Sequence, residues 1–181
     1  VGRLVIDKGA HLFVDAIKDI AQKFPEWSFS IIGSFKLGDN KHRNFYSDDI
    51  IKKMKAIGPQ AQFYGFKNQE FVEEKMKSAS IVVIPSIWEE PFGLVAAEAM
   101  SNGACIIASK VGGIPEIIKD NGILIDKINL KKLSSKIDFL IKDNKLRENY
   151  QRKAWENFEL SSKISSQKLD HFRQLISSKY L

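Results

Sequence analysis

The chain has 181 residues, of which 44% are hydrophobic and 28% charged, with a formal net charge of +6. That is enough chain to bury a core, too apolar to stay disordered, and without an apolar run long enough to cross a bilayer or a leader pattern. The single cysteine, Cys105, excludes an internal disulfide framework and fits a reducing compartment. The basic excess suits an anionic ligand, but the lysines are spread over helix-like faces with no basic run interleaved with aromatics. They read as solvated faces, and no nucleic-acid partner is expected.

Strand and helix signals alternate along the chain. Val1–Ile6 reads as a strand or its exit, and a start within a strand, without methionine, raises the expectation of a missing N-terminal region. Lys8–Phe24 carries a helical stripe of Leu12, Phe13, Ala16, Ile17, Ile20 and Ala21. Phe29–Gly33 is a short strand, and Ser34–Ser47 a polar loop long enough for a functional insertion. Asp48–Ile57 is a helix stopped by Gly58-Pro59. Gln62–Gly65 is a strand, Gln69–Ala79 a helix, and Ile81–Pro85 a near-continuous apolar run typical of a strand covered on both faces. Pro91–Asn102 is a helix, Ala104–Ser109 a strand, Pro115–Lys119 a short helix and Gly122–Asp126 a strand. The remainder is helical, with a stripe of Leu130, Leu133, Ile137, Leu140 and Ile141.

This alternation implies an α/β fold, a Rossmann-like three-layer sandwich around a parallel sheet. Ligands of such sheets bind beyond the carboxyl ends of the strands. The loops of interest therefore follow Val5, Ile32, Tyr64, Pro85, Ala108 and Ile125.

Three of these loops carry chemistry. The first, Gly2 to Gly9, places Arg3 and Lys8 between a strand exit and a helix start. Arg3 can grip phosphate oxygens with two donors and Lys8 acts as a compact charge, while Gly9 permits close approach of backbone. Two ordinary surface cations would look the same. The second runs from Glu89 to Met100. Pro91 suits a first helical turn, Gly93 leaves room for a ligand, and the N–H groups of Phe92 to Val95 point toward it. Glu90 before the helix and Glu98 about two turns inside it make two separate contacts along an extended ligand rather than an acid/base pair. The alternative is that Glu89 and Glu90 merely favour the positive end of the helix dipole. Glu98, among Val95, Ala96, Ala97 and Ala99, lies on a mostly buried helix and needs a partner. The third loop, Ser109 to Glu116, holds Gly112-Gly113, either an anion nest or an ordinary tight turn. Gly33 and Gly65-Phe66-Lys67 end other strands and could accommodate a base or sugar.

Other chemistries are absent. His11, His42 and His171 lie on separate elements without metal-ligand spacing. There is no Walker loop, no Gly-x-Gly-x-x-Gly after the first strand, and no Gly-x-Ser-x-Gly elbow.

Taken together, Gly2-Arg3-Leu4 with Lys8-Gly9, Glu90-Pro91-Phe92-Gly93-Leu94-Val95 with Glu98-Ala99-Met100, Gly112-Gly113-Ile114-Pro115-Glu116-Ile117-Ile118 and Gly122-Ile123-Leu124-Ile125 resemble glycosyltransferase family 4. The glutamate pair with its internal Pro-Phe-Gly is the specific part, and only the final helical third is generic. The resemblance implies a retaining enzyme of GT-B architecture, two Rossmann-like domains facing across a cleft. Residues 1–181 would be the C-terminal, donor-binding domain, with 145–181 as its C-terminal helices and the N-terminal acceptor domain absent.

By the same resemblance, Arg3 and Lys8 hold the donor diphosphate and Glu90 lies near the donor sugar; these three are the catalytic candidates. Glu98 bonds the ribose hydroxyls, the backbone of Phe92, Gly93, Leu94 and Val95 meets diphosphate and sugar, Phe66 lies near the base, and Gly2, Gly9 and Gly33 complete the donor-binding set. The implied reaction is transfer of a sugar from a nucleotide diphosphate sugar, by family frequency a UDP-sugar, to an acceptor hydroxyl, as in cell-surface polysaccharide, lipopolysaccharide or glycolipid synthesis. No cofactor and no metal is implied, because arginine and lysine stand where other enzymes use a divalent ion. The isolated domain would be inactive. A cytoplasmic location is implied, with a peripheral place at the inner membrane face and a lipid-linked acceptor as a variant. The competing readings are another GT-B enzyme such as a nucleotide-sugar epimerase, and a non-catalytic nucleotide-sugar-binding module. Two departures stand out: Ala104-Cys105-Ile106-Ile107 where members commonly have Pro-Val, and the idiosyncratic loop 34–47. Trp155 and Phe158 are expected to pack toward the absent domain. Ile164, Leu169, Phe172, Leu175 and Ile176 form a stripe facing the core, that domain or a membrane.

Overall fold

A computed structural model describes residues 1–36, 41, 44–160, 166, 169 and 170. Five parallel strands alternate with seven α-helices among the described residues. In order these are α1 (Ala10–Lys23), β1 (Phe29–Ile31), α2 (Phe45–Ile57), β2 (Ala61–Phe63), α3 (Gln69–Ser78), β3 (Ile81–Ile84), α4 (Leu94–Ser101), β4 (Cys105–Ser109), α5 (Ile114–Ile118), β5 (Ile123–Ile125), α6 (Leu130–Lys142) and α7 (Asn144–Glu156).

The strands form two groups. β1 pairs with β2, Phe29 opposite Ala61, while β4 lies between β3 and β5, with Ile81 opposite Cys105 and Ile107 opposite Ile123. All five residues of β4 are buried, as expected of a parallel strand covered on both faces. Its side chains alternate between two cores. Cys105 and Ile107 join Val14, Ile17, Leu133, Ile137 and Leu140 from α1 and α6. Ile106 and Ala108 join Ala96, Ala99, Met100, Ile114 and Ile118 from α4 and α5. The period-two alternation of a strand is thus what divides the helices into two layers. Cys105 is fully buried, and burial pushes its thiol up to about 12, which disfavours the thiolate that a nucleophile or metal ligand needs.

Several boundaries differ from the pattern-based reading, each for a local reason. Val1–Ile6 is not a full strand. Gly2 and Leu4 donate to the carbonyls of Ile32 and Ser34 at 3.0 and 2.9 Å, and the chain then turns into a 3-10 helix over Ile6–Lys8. The loop after β1 gives way to α2 at Phe45, because Asn44 and Ser47 form a reciprocal capping box. Phe45 is 97% exposed, which hides this turn from any apolar periodicity. α4 starts at Leu94, not Pro91, since Gly93 takes a left-handed conformation as its N-cap, and Glu98 is therefore little more than one turn inside. Leu130 departs from the α6 stripe and is exposed. Phe158 packs on the α4–α5 core and Trp155 is exposed. The C-terminal stripe of Ile164, Phe172, Leu175 and Ile176 lies outside the described residues, as do 37–40 and 42–43 of the Ser34–Ser47 loop, while Leu169 is exposed.

Two glycines with the same backbone twist separate strain from crowding. Gly9 (φ +66) would bring a Cβ to 1.9 Å from the Pro85 carbonyl oxygen, whereas at Gly103 (φ +64) nothing lies nearer than 3.6 Å. Gly103→Ala should cost only the left-handed penalty of roughly 1 kcal/mol. Gly9→Ala adds a backbone clash and should cost well over about 2 kcal/mol, a difference read directly from the two urea denaturation midpoints.

Candidate functional site

The carboxyl ends of β1 and β3 and the segment Gly2–Lys8 converge on one cavity of about 720 Å³, lined at this end by Gly2, Arg3, Lys8, Glu90, Gly93 and Leu94. Val95 lines it as well. The 3-10 turn over Ile6–Lys8 is what brings Lys8 back over the sheet edge. Gly9 closes that turn by donating to Ile6 at 2.9 Å, and packs against Pro85 where β3 ends.

At the centre, Lys8 Nζ forms an ion pair with Glu90 Oε1, and the Ser86 hydroxyl donates to the same carboxylate oxygen. Burial by itself would raise the Glu90 pKa. The hydrogen bonds from Lys8 and Ser86, with the charges of Lys8 and Arg3, outweigh that effect and hold its carboxyl below the ordinary value. The Glu90 side chain is only 13% exposed, that of Lys8 31%, so the cation keeps an open side toward the cavity. Arg3 is exposed at the same rim. Two cations against one carboxylate leave a net positive cavity mouth, suited to an anion.

The second loop is fixed from behind. Ser109, fully buried at the end of β4, donates to the carbonyls of Ile84 and Ser86. Ile87 donates to the Asp7 carbonyl at 2.9 Å, tying the loop after β3 to the Lys8 turn. The Gly112-Gly113 turn is no vacant nest: Gly112 N–H donates to the Glu89 carboxylate and Gly113 N–H to the Glu90 carbonyl at 2.7 Å. A Cβ on Gly112 would sit 2.2 Å from the Glu90 carbonyl oxygen. That pair of glycines serves loop-to-loop packing and offers no anion site.

Glu98, Phe66, Phe92, Gly9 and Gly33 are not among the residues that line the cavity. Glu98 is half-buried on α4 and accepts from Gln69 Nε2 at 3.2 Å. Phe66 is half-buried in the turn after β2. Phe92 is exposed beside Pro91 and Gly113. Gly33 backs onto the Gly2 carbonyl, 1.7 Å from where its Cβ would stand, so its smallness serves chain packing rather than a ligand. Gly9 likewise faces protein, and Gly93, although it lines the cavity, would bring a Cβ against Ile114 and Ile117 of α5. The first free helix donors at α4 are the N–H groups of Leu94 and Val95, because Ala96 and Ala97 already donate to Gly93. Phe92 lies before this helix, so its N–H is not among them.

Ser86 and Ser109 escape motif reasoning, and the Glu89 clamp onto Gly112 was not among the roles expected for that residue. A serine at a strand exit carries no pattern, and only burial and partner geometry distinguish it. His11 meets Tyr46, with Nδ1 3.0 Å from the hydroxyl, and burial lowers its pKa. His42 and His171 lie outside the described residues. Among the described residues no three His, Cys, Asp or Glu side chains cluster as metal ligands, and no helix is long and apolar enough to cross a membrane.

Because its folded-state pKa is lowered, Glu90 contributes stability that is fully present above the unfolded value of about 4.3. That contribution is lost as pH falls through the lowered folded value. Glu90→Gln should therefore be less stable than the parent near neutral pH, and the gap should close in acid. Urea midpoints of both proteins across this range measure it; a gap constant with pH would refute the charge assignment.

Residues 1–156 match the family described as glycosyl transferases group 1. An uncharacterised glycosyltransferase of Methanocaldococcus jannaschii is 32% identical over 168 residues, covering 87% of this chain and 41% of that protein. Spore coat protein SA of Bacillus subtilis is 32% identical over 169 residues, covering 87% and 44%. The chain thus spans less than half the length of these curated relatives. Among solved structures, the C-terminal domain of a glycosyl transferase group 1 family protein from Francisella tularensis superposes with a TM-score of 0.71 at 30% identity, covering 86% of this chain and 80% of that one. HepE of Anabaena, solved with UDP and with UDP-glucose, superposes with TM-scores of 0.73 and 0.72 at 26% identity, covering 96% of this chain and 48% of that one. These neighbours share the GT-B fold, and the chain belongs to the glycosyl transferases group 1 family.

Proposed function

We propose that this chain is the donor-binding, C-terminal domain of a retaining glycosyltransferase of family 4, and that it takes a UDP-sugar. The observation that carries the reading is the pairing of Lys8 with Glu90, beside Arg3, at the mouth of a cavity beyond the carboxyl ends of parallel strands. The complexes of HepE with UDP and UDP-glucose support the choice of donor.

Arg3 and Lys8 face the diphosphate, Glu90 the donor sugar, and the free N–H groups of Leu94 and Val95 the phosphate oxygens. Glu98, held by Gln69, bonds the ribose diol, and Phe66 lies toward the base. In the reaction, the bond between the sugar C1 and the diphosphate oxygen breaks, and its electron pair stays on that oxygen. The acceptor hydroxyl bonds to C1 on the face just vacated, and its proton passes to the departing phosphate. Negative charge grows on the diphosphate as the bond breaks. Arg3, Lys8 and the α4 donors stabilise it where it forms, with no metal required. The acceptor site belongs to an N-terminal domain of the full-length protein. The chain alone binds donor without turnover, and the full-length enzyme works at the cytoplasmic side on a polysaccharide, lipopolysaccharide or glycolipid acceptor.

Titration calorimetry of the chain with UDP, GDP and ADP should show saturable binding of UDP, unchanged by a chelator. Arg3→Ala and Lys8→Ala should each weaken it by about 1.5–3 kcal/mol, roughly 10- to 150-fold. Binding indifferent to both changes would remove the site. For the full-length enzyme, NMR of the product anomeric centre should show the donor configuration retained; an inverted product excludes the mechanism.

A further inference from the structure

Tyr46 lies in the polar stretch 34–47 that stands out in the sequence, and donor binding gives it no role. From the first turn of α2 it reaches across to the first turn of α1. Its hydroxyl oxygen accepts from the His11 N–H at 3.2 Å and lies 3.0 Å from His11 Nδ1, and the Ala10 N–H bonds to the same oxygen. The two rings meet edge to face, with centroids 5.7 Å apart.

A helix begins with N–H groups that its own backbone cannot satisfy. α1 starts from Gly9, which has no side chain to serve as a cap. The Leu12 and Phe13 N–H groups turn back to the Gly9 carbonyl, so Ala10 and His11 are the first-turn donors left for an outside partner. Tyr46 meets both. A phenol oxygen carries one proton and two acceptor lone pairs. With both lone pairs on the α1 amides, its proton goes to His11 Nδ1, and His11 is neutral with its own proton on Nε2. Burial favours that form by lowering the His11 pKa; Asp15 pulls the other way, and Lys53 acts with burial.

The cap matters because the turn ahead of it has few other anchors. Between Leu4 and Val14 the one buried residue is Gly9, against Pro85. A glycine without a side chain fixes a point but not a direction. Further along the same helix pair, Lys53 of α2 bridges Asp15 of α1 and Asp49 of its own helix at 3.0 and 3.1 Å. Ion pairs this exposed contribute little by themselves, and they sit a turn away from the helix start. The occupied amides also keep the end of α1 from serving an anion, although Ala10 lines the cavity beside Lys8. The positive charge offered on this side is therefore the Lys8 ammonium.

We propose that Tyr46 is a positioning residue for Lys8. By capping α1 from α2 it fixes the direction in which the Ile6–Lys8 turn enters the helix, and so holds the ammonium against Glu90 and toward the cavity. The consequence for donor affinity rests on the diphosphate site proposed above; the consequence for the Lys8–Glu90 pair does not.

Tyr46→Phe keeps the ring and removes the oxygen. In the ligand-free protein the Ala10 and His11 amides should then exchange hydrogen at least about 10-fold faster, with those of Ile17 and Ile20 unchanged. The Glu90 carboxyl, followed by NMR of its carboxyl carbon through an acid titration, should move up toward its ordinary value, the direction in which Lys8→Ala moves it. UDP affinity by calorimetry should fall roughly 5- to 10-fold, the worth of one neutral hydrogen bond. The same change made in Lys8→Ala should alter affinity by less than about 2-fold, because the residue it acts through is gone. An unmoved Glu90 titration overturns the proposal, as does an equal loss of affinity in both backgrounds. If the parent binds no UDP, the donor-site reading falls and the Glu90 titration still decides this one. Should Tyr46→Phe fail to fold, His11→Ala, which frees the hydroxyl to turn off the α1 amides, should move Glu90 in the same direction, and no movement is refuting.

Discussion

The ion pair between Lys8 and Glu90 is the contact on which the geometry of this edge depends. It joins the first turn of the chain to the loop after β3, two segments that share no secondary-structure element. Around it the same two segments are fastened at backbone level, Gly9 against Pro85 and Ile87 onto the Asp7 carbonyl. Ser109 reaches from β4 to hold Ser86, and Ser86 in turn donates to Glu90. Three loops, each following or flanking a different strand, thus become one surface. A half-buried ion pair contributes little net stability once its desolvation is counted. Its effect here is positional, fixing where positive charge faces the cavity.

The loop after β3 also shows how acidic residues so close together can have different work. Glu89 turns outward and its carboxylate receives the Gly112 N–H, clamping this loop to the turn after β4. Glu90 turns inward to the cation. One residue of separation in an irregular segment sends the two side chains in opposite directions, so the doubled glutamate is one structural clamp and one site residue.

Much of the architecture is legible in the sequence because it depends on periodicity. The β4 run Cys105–Ser109 reads as a strand buried on both faces and is one, with its side chains shared between two cores. The stripes of α1 and α6 are equally plain, apart from exposed Leu130. Legibility fails where the deciding force is local hydrogen bonding or crowding by a distant segment. Asn44 and Ser47 start α2 by capping, and Gly93 delays α4 past Pro91. The glycines are the clearest case. Gly9, Gly33, Gly93 and Gly112 look like room for a ligand, yet a side chain at each would meet the protein itself. Sequence reports that a close approach is required there, but not what approaches. The grouping of Arg3, Lys8 and Glu90 follows from topology and was readable, whereas Ser86 and Ser109 carry no pattern that singles them out.

The choice of lysine at position 8 has a chemical logic. An ammonium offers three donors around a compact charge, whereas a guanidinium presents a rigid planar fork. With one donor on Glu90 and its open side toward the cavity, Lys8 can keep its carboxylate partner and still turn the other donors to an arriving oxyanion. An arginine in the same place would satisfy Glu90 through two parallel bonds and aim its plane away from the cavity. Arg3 is exposed at the same rim, and in the proposed function its fork would meet phosphate oxygens. Glu90 then has a consequence beyond neutralising Lys8. It holds the cation on one side, so in the proposed function the position of a bound anion would be set by the sheet edge rather than by the ligand.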